Sequence, residues 1–135
     1  MTRVLLFGTF DGLHEGHKMM LKAAGKCGDH IVVALAPDDV VLRLKNRAPN
    51  ASFNDREATL RASGLVDEVM GSDKKEGTYK ILEIAKPDIV VFGYDQTALA
   101  LDFLRFLEDT GTKMPTKILE AFAPERYKSS LMRSP

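Results

Sequence analysis

The sequence predicts an α/β fold: one doubly wound, mostly parallel sheet of five strands, with helices on both faces. Three observations predict it. Short apolar runs alternate with helix patterns from one end of the chain to the other. The central runs are continuously apolar, as strands buried on both faces are. Each run is followed by turn residues, which places a row of loops along one rim of the sheet, where such folds bind ligands.

Val4-Leu5-Leu6-Phe7 is the first strand. Gly8 to His17 forms a glycine-rich turn, and Lys18 to Ala24 a helix stopped by Gly25 and Gly28. His30 to Ala36 is the second strand, ending at Pro37-Asp38-Asp39. The next stretch carries Arg43, Lys45 and Arg47 at alternating positions, then Pro49, and reads as an irregular or partly helical connection. Asn54-Asp55-Arg56-Glu57 resembles a capping box and starts a helix that runs to about Ala62. Val66 to Met70 is a short third strand, stopped by Gly71-Ser72-Asp73. Tyr79 to Lys86 is a helix closed by Pro87. Asp88 to Phe92 is the fourth strand, ended by Gly93-Tyr94-Asp95-Gln96. Leu99 to Asp109 is a helix with Leu104 and Leu107 in its apolar stripe. Lys117 to Phe122 is the fifth strand, and Arg126 to Arg133 a last helical turn.

The 135 residues make one domain, 1–135, with an ordinary apolar fraction. Nineteen basic residues balance nineteen acidic ones, so no broad nucleic-acid surface is expected. The single cysteine, Cys27, cannot form an internal disulfide, which fits a reducing cytoplasm. No signal peptide and no apolar run of membrane-spanning length is expected.

The chemistry concentrates in Gly8-Thr9-Phe10-Asp11-Gly12-Leu13-His14-Glu15-Gly16-His17. Its glycines let the backbone turn tightly and a ligand approach. His14 and His17 fall where a helix begins, on one side of its first turn, beside free N–H groups and the positive dipole end. That combination suits a polyphosphate. The glycines are not spaced as a dinucleotide fingerprint, and no Walker lysine follows. A zinc site would need further ligands; Cys27 and His30 lack standard spacing for it.

Gly8-Thr9-Phe10-Asp11 followed by His14-Glu15-Gly16-His17 resembles the G-T-F-D-x-x-H-x-G-H signature of the cytidylyltransferase-like nucleotidyltransferases. The resemblance implies their Rossmann-like fold and transfer of a nucleotide monophosphate to a phosphorylated acceptor, with pyrophosphate released. It implies that His14 and His17 are catalytic, and that Thr9, Phe10, Glu15 and Gly16 join them around the nucleotide phosphates. Phe10 is expected to act more through its backbone than its ring. Asp11 is read chiefly as a turn stabiliser, with a water-held divalent metal as its rival role.

Val91-Phe92-Gly93-Tyr94-Asp95-Gln96 is similar to the family's G-x-D-Q element, which lies beside the nucleotide. By default Asp95 is a helix N-cap; the resemblance instead implies a ribose ligand, with Gln96 beside it. Lys45, Arg47 and Arg56 would ordinarily be solvated, yet the family places basic residues in this region against phosphates. Lys45 and Arg47 are therefore the expected phosphate or acceptor contacts. Ser129 and Ser130 resemble the family's late serine/threonine motif, with Arg133 as its basic residue.

Within the family, the short length, the Phe-Gly-Tyr-Asp-Gln element and the terminal Lys-Ser-Ser are most similar to archaeal-type FAD synthases. That implies ATP and FMN as substrates, Mg²⁺ or another divalent cation as cofactor, and a homodimer. The rival acceptor is glycerol-3-phosphate with CTP, whose enzymes carry a late motif missing here. A nucleotide-binding regulatory module without turnover is the rival from another class. A flavin ring would need an apolar wall, expected from Val40 to Leu44, Phe53 and Met132.

Overall fold

A computed structural model describes residues 1–75 and 77–120. Among them, five strands and five helices alternate: β1 (Arg3–Gly8), α1 (Glu15–Ala24), β2 (His30–Leu35), α2 (Asp38–Lys45), α3 (Phe53–Ala62), β3 (Glu68–Gly71), α4 (Ile81–Ala85), β4 (Ile89–Phe92), α5 (Thr97–Thr110) and β5 (Thr116–Ile118). The sheet has the order β3-β2-β1-β4-β5, and every pairing is parallel. The order reverses between β1 and β4, so the crevice beyond the ends of those two strands is the topological switch point.

The two-residue period of the strands separates two cores. Val4 and Leu6 of β1 point into one cluster with Met20 and Leu21 of α1 and Leu60 of α3. Leu5 and Phe7 point to the other face, against Ile81 of α4 and Phe103 of α5. The sheet is therefore covered on both sides, as the continuous apolar runs require. Full burial of each large side chain contributes about 1.5–3 kcal/mol, and Leu5, Leu6, Phe92 and Phe103 are all fully buried.

Several local expectations are corrected. Residues 38–45, read as an irregular or partly helical connection, form a regular helix. Val40 and Val41 pack inward while Leu42 and Leu44 are exposed, so its apolar residues make no clean helical stripe. The helix expected at Asn54 begins at Phe53, with Ser52 as N-cap; its Oγ accepts from the Asp55 N–H. The Tyr79–Lys86 helix is reduced to Ile81–Ala85, because Tyr79 and Lys86 both have φ 47° and cannot lie within it. Leu104 is exposed; the buried face of α5 is Ala100, Phe103 and Leu107. β5 is shorter than expected, and the expected last turn lies outside the described residues.

Strand starts are pinned by side chains on the rim away from the switch point. Glu68 Oε2 meets Arg3 Nη1 at 2.9 Å and His30 Nε2 at 2.6 Å, linking the first residues of β1, β2 and β3. No described helix is long and apolar enough to cross a membrane.

Candidate active site

At the end of β1 the chain turns through Phe10, at φ 48°, and Gly12, at φ 80°. The Phe10 ring folds back over Gly8, where a Cβ would lie 2.5 Å from its Cε2. The ring is thus buried core, and only glycine fits beneath it. His14 then caps α1. Its Nδ1 accepts from Gly16 N–H at 3.1 Å and His17 N–H at 3.4 Å, while His17 Nδ1 accepts from His14 N–H at 3.4 Å. This is a capping box built from two imidazoles. Gly16 leaves room for it, since a Cβ there would sit 3.0 Å from His14 Cε1. With both Nδ1 atoms accepting, the neutral rings carry their protons on Nε2.

His17 is half-buried, and its pKa is held below the usual histidine value. Burial is the main cause, aided by His14 and Lys45; the Gly12 carbonyl and the Asp95 carboxylate oppose the shift. Its surroundings thus favour the neutral imidazole, and a bound anion would act against that shift.

Two residues lock the loop after α2 to this turn. Asp11 accepts from Asn50 N–H at 2.7 Å and Ala51 N–H at 3.0 Å, and these bonds hold its carboxyl below the ordinary range. Its stabilising role thus reaches a loop about forty residues away, with one backbone N–H on each carboxylate oxygen. Arg56 is fully buried, not solvated. It donates to Ala51 O from Nε, to Thr9 O and Ala36 O from Nη1, and to Asp38 from Nη2, at 2.6–3.0 Å. One guanidinium so joins the ends of β1 and β2, the start of α2 and the following loop. The sequence signals for it were only an arginine within a helix start and acidic Asp38 after a strand.

A cavity of about 820 Å³ opens on the switch point. Thr9, Phe10, Asp11, His14 and His17 line it from the β1 turn, and Lys45 and Arg47 from α2 and its loop. Asp95 and Gln96 line it from the end of β4. The motif residues, far apart in sequence, are thus brought to one place. Glu15 and Gly16 are not on its wall; the Glu15 side chain is in solvent, 3.9 Å from Lys18 Nζ. The amide of Gln96 is committed to the fold: Oε1 accepts from Gly93 N–H at 2.8 Å, and Nε2 donates to Phe7 O at 2.9 Å. It ties β4 to β1 across the switch point and is a support of the site, not a free ligand group. Asp95 is no N-cap. Gln96 holds that position without a side-chain bond, and the exposed Asp95 carboxylate accepts no hydrogen bond from a described residue. Ser129 and Ser130 lie outside the described residues.

The cavity continues past β1 into the second core. Phe7, Ala34, Tyr79 and Ile81 line this arm, with Leu99 and Asp102 of α5. Tyr79 donates its hydroxyl to Asp102 Oδ2 at 2.6 Å. Of the expected flavin wall, Val40 and Leu44 line the cavity, but Phe53 does not; it packs on the first core, 5.8 Å below the Arg56 guanidinium. Met132 is outside the described residues. Sequence reading missed Tyr79 and Asp102, although Tyr79 follows the third strand and so falls on the expected rim.

The cytidylyltransferase-like family model matches residues 5–134. The chain belongs to the cytidylyltransferase-like family. It is 32% identical over 129 residues to the FAD synthase of Pyrococcus horikoshii, covering 95% of this chain and 87% of that one. It is 42% identical over 97 residues to the FAD synthase of Aciduliprofundum boonei, covering 71% and 63%. The match to that protein thus spans just under two thirds of its length, as does the 64% matched in the FAD synthase of Pyrococcus abyssi. Among solved structures, a protein described as a lipopolysaccharide core biosynthesis protein from Thermoplasma volcanium superimposes with TM-score 0.80 and 30% identity, covering 90% of this chain and 98% of that one. This family member thus carries its histidine motif on an all-parallel sheet, at the switch point its topology dictates.

Proposed function

We propose that this chain transfers AMP from ATP to the phosphate of FMN, forming FAD and releasing pyrophosphate. The observation that carries the reading is the stacked His14–His17 pair at the start of α1, facing a cavity that holds Asp95 and a second, apolar arm. The FAD synthase names of the archaeal relatives support the acceptor.

In the reaction, an FMN phosphate oxygen attacks the α-phosphorus of ATP. A P–O bond forms there as the bond to the bridging α–β oxygen breaks, and that oxygen leaves on pyrophosphate. Positioning and charge stabilisation carry such a step. His14 and His17 donate to phosphate oxygens, and bound phosphate raises the His17 pKa against its burial. Lys45 and Arg47 neutralise phosphates from the opposite wall, Thr9 holds a phosphate oxygen, and Asp95 accepts from the ribose hydroxyls. Ser129 and Ser130 complete the phosphate contacts in this reading. Mg²⁺ is proposed to arrive on the ATP phosphates; among the described residues, no three His, Cys, Asp or Glu side chains are placed to hold a metal. The protein works as a cytoplasmic homodimer, with no part for nucleic acid or membrane.

The test is incubation with ATP or CTP, a divalent cation, and FMN or glycerol-3-phosphate, with products read by mass. FAD from ATP and FMN is expected. CDP-glycerol without FAD would replace the acceptor, and nucleotide binding without pyrophosphate release would make the protein a regulatory module.

A further inference from the structure

The second arm of the cavity has a floor and an edge of different chemistry. Its floor is apolar: Phe7, Ala34 and Ile81 are buried among the second core residues. Tyr79 stands in it, pinned by Phe103 at 5.0 Å, Phe106 at 4.9 Å and Phe7 at 6.0 Å between ring centroids. A bulky residue with φ 47° is an outlier, and such outliers persist where the surroundings over-determine them. At the edge, Asp102 accepts the Tyr79 hydroxyl on Oδ2, and its Oδ1 accepts nothing from a described residue. The other carboxylate on this arm, Asp73, is already engaged by the Thr78 hydroxyl and by the Lys80 and Ile81 N–H groups. Asp102 Oδ1 is therefore the acceptor that the arm offers to a ligand.

An apolar surface beside an acceptor held by a tyrosine hydroxyl fits a heteroaromatic ring with an N–H on its edge. We propose that Asp102, oriented by Tyr79, determines the acceptor by accepting a hydrogen bond from the imide N–H of its ring. The isoalloxazine of FMN carries such a group at N3; a glycerol phosphate has neither the ring nor the donor. This rests on the reading of FMN as acceptor. Asp102 touches the acceptor and sets specificity, while Tyr79 is a positioning residue that acts through Asp102. A site built to pair with an N–H discriminates strongly against an analogue that lacks it, because the carboxylate is then left unpaired.

The test is fluorescence titration of the full chain with FMN and with N3-methylated FMN, repeated on Asp102→Ala, Asp102→Asn and Tyr79→Phe. The wild type is expected to bind FMN about 10–100-fold more tightly than the methylated flavin, the range for a hydrogen bond to a charged group. Asp102→Ala brings the ratio to about one, and Asp102→Asn, which keeps a carbonyl acceptor, restores part of it. Tyr79→Phe lowers the ratio while leaving KM for ATP unchanged. Equal wild-type affinity for the two flavins overturns the proposal without any variant having to fold, and so does an undiminished ratio in Asp102→Ala. If the ratio holds but ATP and FMN give no FAD, ring recognition stands and the transfer reading falls. If FMN does not bind, both fall.

Discussion

The imidazoles of His14 and His17 stack with centroids 3.7 Å apart and 19° between their planes, and each Nδ1 accepts the backbone N–H of the other residue. The pair that meets the phosphates in the proposed reaction is also the cap of the helix that presents it. In that reading the same two rings serve both ends: their Nδ1 atoms cap the helix, and their Nε2 atoms are left to donate.

His17→Ala should lower kcat by about 10²–10⁴-fold, the range for losing a positioned acid or an oxyanion donor. The variant should also be less stable, by about 0.5–2 kcal/mol, because half of the capping box goes with the ring. Urea melts beside a pyrophosphate-release assay check both; near-normal turnover in a folded variant sinks the catalytic role.

The same ring makes stability depend on pH. Its folded pKa lies below the unfolded value, about 6.5. Between those two values the unfolded chain binds more protons, so stability rises with pH there. The contribution is complete above about pH 6.5 and is lost as pH falls through the folded pKa. Glu68, whose pKa is lowered chiefly by its bond to His30, loses its contribution in a separate and more acidic window, below the ordinary glutamate value of 4.5. Melting temperature measured from pH 7.5 to 3 should fall in two stages. His17→Gln should flatten the upper stage alone; an unchanged upper stage refutes the assignment.

Arg56→Ala should destabilise the protein by about 3–5 kcal/mol, because a fully buried side chain is removed and each buried acceptor left unsatisfied costs about 1–3 kcal/mol; its ion-pair partner Asp38 is half exposed and adds little. It also strands three carbonyls that the guanidinium now serves. Arg56→Lys should recover little, since an ammonium cannot reproduce the fork. Chemical denaturation of both variants decides it, and a loss under about 1 kcal/mol for Arg56→Ala would show that the ends of β1 and β2 are held otherwise.

Asp95→Asn should raise KM for ATP by about 10–100-fold, as expected for losing a charged acceptor, with melting temperature unchanged because Asp95 does not cap α5. Loss of stability with ATP affinity intact would restore the capping role.

The sheet and its helices were legible because the strands are continuous apolar runs, and the rim was legible because turn residues follow each of them. The histidine motif could be read because its residues are contiguous. What stayed hidden depends on partners distant in sequence. Arg56 looks solvated until Thr9, Ala36 and Ala51 turn their carbonyls toward it. Gln96 looks like a ligand group until the β1–β4 pairing brings Phe7 O within reach. Residues 38–45 escaped because that helix has water on a broad face, and Leu42 and Leu44 blur its period. Tyr79 and Asp102 meet only because the segment leading into α4 and helix α5 share the core on one face of the sheet.

The central strand precedes the other four in the chain. β1 finds β2 once residue 35 has been made, but its other partner begins at Ile89, which pairs with Val4. Until then one edge of β1 lies bare in the nascent chain, and non-local parallel pairing is slow to form. The crevice between β1 and β4 thus closes only after β2 and β3 have been made, with β5 still to add to the edge of β4. In the proposed reading, a nucleotide bound there spans β1 and β4, and by mass action it favours the state in which the two are paired.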